Sequence, residues 1–351
     1  MRKSTHRMNS GGLTYILPIK ASAVDLSDEM TAYLRWLAER AEVIVVDGSA
    51  ASIFAVHANA WGASVRHVAP HADLATPMGK VGGVLTGVRL ALHERLIVAD
   101  DDVRYDDVSL AQLARALDTA DVVRPQNYFE PLPWHARIDT GRMLLNRMTG
   151  GDWPGTVGVR RSALIATGGY DGSVMFENLE LVRTIVAAGG REQLLLGAYV
   201  RRHPSTTRHF WTQRVRQAYD EMARPARLAL QLAVLPTVAV LVRTSRWKML
   251  ATGVLAIAGV AELGRRRAGG ARVFPISSSM LAPVWVAERA VCSWLALGAH
   301  LTVGGIPYRG TVLRQAATPT SVLRARHAGS YRRSAHRPIP DPGNGPQRRS
   351  A

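Results

Sequence analysis

The first half of the chain alternates short apolar runs with stretches of helical periodicity. Residues 13–17, 43–46 and 96–99 are apolar runs of the length of a buried strand. Residues 27–40 and 79–93 fit helices between those runs. Further helices are expected at 52–61, 137–148 and 177–188, and further strands at 65–68 and 120–124. Strands that alternate with helices predict a parallel α/β sheet with helices on its faces.

Carboxylates follow two of these predicted strands at their C-terminal ends. Asp47 ends one of them, and the triplet Asp100-Asp101-Asp102 directly follows another. In an open parallel sheet, this edge is where ligands bind. Adjacent carboxylates repel one another, and a hard cation such as Mg²⁺ or Mn²⁺ relieves that repulsion while substrate phosphates complete its coordination. The triplet therefore predicts a metal site, with a solvated turn that caps the helix near Asp106 as the alternative.

Apolar segments with basic flanks dominate the chain after residue 217. Residues 228–242 and 249–263 are short for a full membrane span, and two charged residues interrupt 282–303. Arginines beside apolar segments favour an anionic membrane face. We expect a short helical hairpin and an interfacial helix at the cytoplasmic leaflet, with a set of buried core helices as the alternative.

The basic charge of the chain accompanies these apolar segments. The net charge is +17, and the residues after Met222 include 19 of the 44 Lys and Arg residues but only three acidic ones. No basic domain with interleaved aromatic residues occurs, so nucleic acid is not an expected partner. The tail beyond residue 309 is basic and contains proline and glycine, which predicts disorder. A single cysteine, Cys292, excludes a disulfide framework and a cysteine-rich zinc site.

Seven short motifs occur in one order between Leu13 and Arg216. They are Leu17-Pro18-Ile19-Lys20, Val46-Asp47-Gly48-Ser49, Gly79-Lys80, Asp100-Asp101-Asp102, Gly168-Gly169-Tyr170-Asp171, Glu177-Asn178-Leu179-Glu180-Leu181 and Gln213-Arg214-Val215-Arg216. Each motif alone is weak, whereas the ordered set is specific. Together they resemble the family 2 glycosyltransferases with the GT-A fold, nearest to the ceramide-glucosyltransferase-like branch. The resemblance implies a Rossmann-like α/β domain that binds a nucleotide sugar and a divalent metal.

The resemblance also implies roles for matching residues. A UDP-sugar is the expected donor, and its expected contacts are Pro18, Asp47, Lys80, Asp100 and Gln213. Mg²⁺ or Mn²⁺ is expected on Asp100 and Asp102, whereas Asp101 points the other way along the strand and is expected to be structural. Arg216 is expected to hold the diphosphate. Simpler roles stay open: Asp47 as a helix cap, Lys80 as a solvated lysine and Arg216 as part of a basic helix face.

The catalytic base is where the sequence departs from the family. The family places an aspartate at the position of Asn178, and an amide has no useful basicity. Glu177 and Glu180 remain, three residues apart on one helix face. We expect Glu177 to accept the acceptor proton because it lies beside the loop that faces the donor, with Glu180 as the second candidate. The alternative is that both carboxylates only cap and solvate the helix. A second departure is Gln217, which occupies the position of a family tryptophan.

Four regions are predicted: a disordered N-terminus at 1–12, a GT-A glycosyltransferase domain at 13–222, membrane-associated helices at 223–310 and a disordered basic tail at 311–351. The resemblance implies an inverting, metal-dependent transfer of a sugar to a lipid or lipid-linked acceptor. The expected location is the cytoplasmic face of the cell membrane, in glycolipid or cell-envelope biosynthesis. Two other classes remain open: a nucleotidyltransferase, and a membrane scaffold with a degenerate transferase domain. A nucleotidyltransferase is expected to have a glycine-rich basic loop after its first strand, and Lys20-Ala21-Ser22-Ala23 is a poor match.

Overall fold

An eight-stranded mixed sheet organises the chain in the computed structural model, which describes residues 12–23, 28–308 and 310–334. The strand order is β3-β2-β1-β4-β7-β6-β8-β5, and β10 and β9 form a separate pair. The strands are β1 Leu13–Ile19, β2 Glu42–Asp47, β3 Arg66–Val68, β4 Arg95–Ala99, β5 Val103–Arg104, β6 Val122–Phe129, β7 Thr156–Arg160, β8 Glu192–Arg202, β9 Ile306–Tyr308 and β10 Thr311–Leu313.

Helices cover both faces of the sheet and make up most of the C-terminal region. The helices are α1 Asp28–Ala38, α2 Ala51–Trp61, α3 Gly79–Leu90, α4 Asp107–Ala116, α5 Trp134–Met148, α6 Arg161–Ala166, α7 Glu177–Ala187, α8 Thr207–Thr212, α9 Arg214–Tyr219, α10 Pro225–Arg243, α11 Trp247–Arg266, α12 Ile276–Met280, α13 Ala282–Val303 and α14 Thr320–Ser334. Short 3₁₀ turns lie at Ala72–Leu74, Asp220–Ala223 and Arg267–Arg272.

Every neighbouring pair of strands is parallel in the first half of the sheet, whereas the second half mixes antiparallel pairs with the parallel pair β6 and β8. Strands β3, β2, β1 and β4 are parallel, as the alternating pattern predicts. Strand β7 runs antiparallel to both β4 and β6, and β5 runs antiparallel to β8. The expectation of a parallel sheet was therefore wrong for β7 and β5. There the connections from β6 through α5 to β7 reverse the strand direction instead of crossing over.

The parallel half is apolar on both faces, which explains its continuous apolar runs. In β1, Tyr15 and Leu17 point into one core with α1 and α4, whereas Ile16 points into the other with α3 and α7. Strands β2 and β4 alternate in the same way, because successive side chains of a strand point to opposite faces. Burial on both faces fixes the register, and the register brings Asp47 level with Ile19 at the carboxyl edge.

Helix α5 connects the sheet to the C-terminal helices. The side chain of Arg147 on α5 is fully buried and donates to the carbonyl oxygens of Gly264, Leu196 and Arg267. A Cβ atom at Gly264 on α11 would lie 2.0 Å from the carbonyl oxygen of Leu144, so glycine is needed where α11 crosses α5. The C-terminal helices therefore pack directly on the domain that contains the sheet.

Helices α10 and α11 expose most of their apolar surface. Two stretches, Pro225–Arg243 and Trp247–Arg272, are long and apolar enough to cross a membrane by length and composition. Only 6% of the first and 11% of the second is buried against the rest of the protein. By contrast, α13 buries Trp285, Cys292 and Ala296 among other residues. The expected hairpin thus corresponds to α10 and α11, and α13 is a packed helix of the protein core.

The segment after residue 310 differs from the disordered tail expected there. Backbone N–H groups of Met175 and Phe176 donate to the carbonyl oxygens of Gln315 and Ala316. Helix α14 follows and packs on α7. The prediction of disorder was wrong for 311–334, because backbone pairing with another part of the chain outweighs a basic, proline-containing composition. Residues 1–11 and 335–351, which the disorder prediction also covers, lie outside the described residues.

Candidate functional site

Three clefts lie in a row at the carboxyl edge of the sheet. The first has a volume of about 300 Å³ and is lined by Ile19, Trp61, Asp101, Asp102, Arg104 and His203, among others. The second, of about 180 Å³, shares Asp102 with the first. The third, of about 140 Å³, shares Arg142, Arg202 and Gln217 with the second. Asp102 therefore forms the wall between the first two clefts, and Arg202 lies between the second and the third.

The acidic triplet occupies the turn between β4 and β5. Arg202, at the end of β8, reaches Oδ2 of Asp102 with its Nε at 2.9 Å and Oδ2 of Asp100 with its Nη2 at 3.3 Å. The carboxylate oxygen Oδ1 of Asp102 is buried and has no hydrogen-bond partner among the described residues. Burial and the neighbouring charge of Asp100 raise the pKa of Asp102, although Arg202 opposes this shift.

Lys80 brings three of the predicted site residues together. Its Nζ lies 2.5 Å from Oδ1 of Asp100 and 2.7 Å from Oε1 of Glu177. Burial opposes the charge on the lysine, but these two carboxylates raise its pKa well above the ordinary value. Lys80 lies in the first turn of α3, and glycines on that helix let it approach β1: a Cβ at Gly83 would lie 3.0 Å from the side chain of Pro18. Lys80 is therefore part of the site and not a solvated lysine.

The residues expected to bind a metal fit one only in part. Asp102 offers the unpartnered oxygen Oδ1, whereas both oxygens of Asp100 already contact cations, Lys80 and Arg202. One group of three potential ligands, Asp47, His57 and His67, has ligand atoms within 4.8 Å of one another among the described residues. In that group, Oδ2 of Asp47 is 2.7 Å from Nδ1 of His57 and 3.1 Å from Nε2 of His67, so hydrogen bonds account for the contacts.

Asp47 lies beneath the first cleft. Its side chain is fully buried, and its Oδ1 accepts a 2.8 Å hydrogen bond from the backbone N–H of Ser49. His57, which sequence analysis did not select, lines the cleft above it and stacks on Trp61. Burial opposes ionisation of Asp47, but the hydrogen bonds from Ser49 and His57 lower its pKa. Asp47 thus reaches the cleft through His57, and the motif at the strand end gave no signal for a histidine ten residues further along the chain.

The two glutamates proposed as bases have different surroundings. Glu180 is fully buried, and its Oε2 accepts a 2.7 Å hydrogen bond from the backbone N–H of Thr318. Glu177 faces Lys80 at the site. Asn178 donates from Nδ2 to the carbonyl oxygen of Pro154 at 3.2 Å and so supports the loop before β7. Only Glu177 of the two glutamates lies with the acidic triplet.

Some residues of the motif at α9 line the second cleft, and another is buried in the protein interior. Gln213 and Arg216 line the second cleft, together with Gln217, and these residues share one helix face. Arg214 points the other way, is buried, and pairs with Asp139 of α5 and Glu288 of α13. The motif therefore lines the cleft and also fixes α13 against α5.

Besides His57, two further groups at the site were missed by the sequence analysis. Arg202 is 100 residues after Asp102 in the sequence, and only the antiparallel pairing of β5 with β8 brings the two together. Asp220 follows Arg216 by one helical turn and lines the third cleft. Burial and the charge of Glu177 raise the pKa of Asp220 to about 8. Its position one turn after a cleft-facing arginine was the available signal.

Comparisons with known proteins identify no family for this chain. No protein-family profile matches the sequence, and no curated protein matches it either. The structure is similar to a mannosyltransferase, PcManGT from Pyrobaculum calidifontis, solved with GDP-Man and Mn²⁺, at 17% identity and a TM-score of 0.46 over 80% of this chain and 86% of that chain. It is also similar to mannosyl-3-phosphoglycerate synthase from Rubrobacter xylanophilus, at 13% identity and a TM-score of 0.40 over 58% of this chain and 71% of that chain.

A third similar structure is S. aureus TarS with UDP-GlcNAc, at 16% identity and a TM-score of 0.41, covering 57% of this chain and 61% of that chain. The structure of this chain itself shows the strand order, the mixed parallel and antiparallel pairing, and the acidic turn after β4. The chain has a mixed, Rossmann-like α/β sheet, followed by apolar helices.

Proposed function

We propose that this protein transfers a sugar from a nucleotide-sugar donor to an acceptor hydroxyl, with a divalent metal at Asp102. The observation that carries the proposal is the position of Asp102. Its carboxylate separates two clefts and keeps one buried oxygen without a partner, beside the cations Lys80 and Arg202. A two-substrate reaction at a strand edge needs such an arrangement, with one substrate on each side of a charged centre.

The donor is proposed to occupy the first cleft, with its diphosphate toward Asp102. The cleft is the larger of the two that share Asp102, and Trp61 and His57 in its lining offer flat surfaces for a nucleoside. Lys80 and Arg202 lie where they would contact the diphosphate. Mg²⁺ or Mn²⁺ bound to Oδ1 of Asp102 would add positive charge on the departing diphosphate oxygens. A UDP-sugar stays the expected donor.

The acceptor is proposed to lie in the second cleft, on the other side of Asp102. Its hydroxyl oxygen attacks the anomeric carbon as the bond from that carbon to the diphosphate oxygen breaks. The hydroxyl proton passes to Glu177, and the nucleoside diphosphate leaves with the electron pair of the broken bond. Lys80 contacts Glu177 and holds it in position, and Arg216 and Gln213 line the acceptor side. Direct attack from the opposite face inverts the anomeric centre.

The acceptor is proposed to be a lipid or lipid-linked molecule at the cytoplasmic membrane face. The support is the exposed apolar surface of α10 and α11, which begins next to the clefts. Arginines at the ends of both helices would face lipid phosphates.

Product analysis with purified full-length protein tests the proposal. The protein is incubated with UDP- and GDP-sugars and a membrane lipid extract, with Mn²⁺, with Mg²⁺ or with a chelator. Glycosyl transfer predicts release of nucleoside diphosphate and a glycosylated lipid. Release of pyrophosphate would instead identify a nucleotidyltransferase, and the absence of turnover with every donor would support the scaffold alternative.

A further inference from the structure

The third cleft is unusually rich in arginine. Its lining includes Arg142, Arg202, Arg224, Arg227 and Arg289, against the two carboxyl groups of Asp220 and Glu221. Its volume of about 140 Å³ is several times the ~30 Å³ that one water molecule occupies in the liquid. The cleft therefore has room for a small charged group, but not for a nucleotide.

Carboxylates elsewhere already neutralise two of these arginines. Arg142 pairs with Asp139 and Asp152, and Arg202 pairs with Asp100 and Asp102. The other three arginines therefore supply the positive charge in the third cleft that these carboxylates do not neutralise.

Glu221 is shared by two of those three. Nη2 of Arg224 lies 2.9 Å from its Oε1, and Nε of Arg227 lies 3.2 Å from its Oε2. The Nε of Arg224 is buried and has no hydrogen-bond partner among the described residues. One carboxylate thus serves two guanidinium groups, and a donor remains unused.

Arg289 has no carboxylate partner at all among the described residues. Its side chain is buried, at 2% exposure, and its Nε has no hydrogen-bond partner. Within the part of the chain that the structure describes, its one hydrogen bond runs from Nη1 to the carbonyl oxygen of Arg214, at the long distance of 3.5 Å. Burial and the nearby charge of Arg214 lower the pKa of Arg289 to about 10, so it stays cationic near neutral pH. A buried, unpaired guanidinium is costly unless an anion joins it.

Asp220 does not supply that anion near neutral pH. Its Oδ1 is shielded from solvent and has no hydrogen-bond partner among the described residues. With a pKa of about 8, its carboxyl group is mostly protonated and can donate a hydrogen bond instead of adding negative charge. The cleft thus holds three arginines, two of which share the carboxylate of Glu221, and unused donors on Arg224 and Arg289.

We propose that the third cleft binds a phosphate group of the acceptor substrate, held by Arg224, Arg227 and Arg289. This inference rests on the proposed glycosyl transfer and narrows its acceptor to a phosphate ester. The third cleft shares Arg142, Arg202 and Gln217 with the second, so a phosphate there lies beside the acceptor cleft and away from the first. Guanidinium groups suit phosphate oxygens because their N–H donors match them in pairs.

The source of the phosphate is indicated by the position of the arginines. Arg224 immediately precedes α10 and Arg227 lies in its first turn, and exposed apolar residues such as Leu230 follow. A phosphate on a lipid would place its headgroup in the cleft and its chain along α10. A soluble phosphate ester would bind the arginines without using the helix.

Binding measurements on full-length protein in detergent, without nucleotide sugar, test this site. The probes are inorganic phosphate, glycerol 3-phosphate and dioctanoyl phosphatidic acid, with dioctanoyl phosphatidylcholine as the neutral-headgroup control. We expect saturable binding of inorganic phosphate, and phosphatidic acid to bind at least about tenfold more tightly than glycerol 3-phosphate. Equal affinity for the two esters would assign the site to a soluble phosphate ester. No saturable binding of any phosphate probe would overturn the proposal.

Arg289→Met separates a ligand site from a structural role. If the role of Arg289 is to bind an anionic ligand, the apolar replacement should leave the melting temperature of the ligand-free protein equal or higher. Phosphate should then no longer raise the melting temperature of the variant. A structural role predicts a lower melting temperature with the phosphate effect retained. Arg224→Gln serves as the second variant and should weaken phosphate binding about tenfold or more. Arg243→Gln, at the exposed far end of α10, is the matched control and should bind as the unaltered protein does.

The outcome is independent of the proposed reaction. Phosphate binding that depends on Arg289 and Arg224, in a protein without donor turnover, would establish the site and remove the glycosyl-transfer proposal. If donor turnover occurs and phosphate binding is unchanged in Arg289→Met and Arg224→Gln, the glycosyl-transfer proposal stands and the proposed phosphate site is removed.

Discussion

The ammonium group of Lys80 lies 2.7 Å from Oε1 of Glu177, although the two residues are 97 positions apart in the sequence. The same ammonium group contacts Asp100, so the start of α7 is tied to the acidic turn after β4. The contact holds the Glu177 carboxylate in place at the site, as a general base must be held near the proton that it accepts. The contact therefore connects the proposed base with the proposed donor site.

Glu177→Gln should leave donor binding intact and lower turnover by ~10²-fold or more, the usual scale for a lost general base. The amide keeps the size of the side chain and can still accept a hydrogen bond from Lys80. Turnover and donor affinity are measured on the same preparation, by release of nucleoside diphosphate and by calorimetry. Unchanged turnover would remove Glu177 from the mechanism.

Glu180→Gln is the matched control for that experiment. Glu180 is fully buried and accepts a hydrogen bond from the backbone N–H of Thr318, so its replacement should lower the melting temperature. We expect turnover per folded molecule to stay close to normal. A loss of turnover in Glu180→Gln alone, with folding intact, would transfer the base role to Glu180.

Asp102→Asn should abolish the dependence of nucleotide-sugar binding on Mn²⁺ or Mg²⁺. The carboxylate oxygen Oδ1 of Asp102 is a buried acceptor without a hydrogen-bond partner among the described residues, and an amide is a far weaker ligand for a hard cation. Asp101→Asn is the comparison, because Asp101 lines only the first cleft and should keep most of the metal effect. Calorimetry with metal and with chelator gives both results. Equal binding in the two conditions for the unaltered protein would mean that Lys80 and Arg202 hold the diphosphate without a metal.

The sequence predicted the parts of the site that follow single strands. The apolar runs, the Asp47 edge and the acidic turn are local patterns, and the structure places them at one edge of the sheet. Arg202 and Asp220 could not be predicted in the same way, because their contacts depend on the pairing of β5 with β8 and on a packed turn before α10. Long-range pairing leaves no trace in the spacing of residues.

The segment after residue 310 shows the opposite failure, in which composition misled. Its basic and proline-containing sequence is typical of disorder, yet its backbone pairs with 174–176 and its Thr318 N–H is accepted by Glu180. A buried carboxylate at 180 was visible in the sequence only as a possible base or helix-solvating residue. Its partner was the segment that composition had assigned to disorder.

Glu29, which lines the first cleft, should make the free energy of unfolding depend on pH. Burial opposes its ionisation, but hydrogen bonds from Arg104 and His203 lower the pKa of Glu29 to about 2. Since the folded pKa is below the unfolded value of about 4.3, the contribution is fully present above that value and is lost as pH falls toward 2. Denaturant unfolding of Glu29→Gln and the unaltered protein should therefore differ most above about pH 4.5. A difference that stays constant down to pH 2 would contradict the assignment.

Full-length protein is predicted to sediment with membranes through the exposed apolar faces of α10 and α11. Leu230 on α10 and Leu255 on α11 are 70% and 71% exposed, which is costly in water and favourable in lipid. Truncation after Met222 would be a poor test, because it removes α13, whose Cys292 and Ala296 belong to the main core. The double variant Leu230→Asp, Leu255→Asp keeps that core and places charges at membrane depth.

This variant should move from the membrane pellet to the supernatant in flotation with anionic vesicles, at low and at high salt. The control is Val108→Asp, since Val108 on α4 is 64% exposed in the domain that contains the sheet, away from α10 and α11. It should float as the unaltered protein does. Charge at the bilayer centre costs about 2.5–3.5 kcal/mol per residue on insertion scales. Leu255 lies near the middle of α11, so its replacement carries most of this cost, and Leu230→Asp adds a charge near the start of α10. Persistent flotation of the double variant at high salt would show that another surface holds the protein on the membrane.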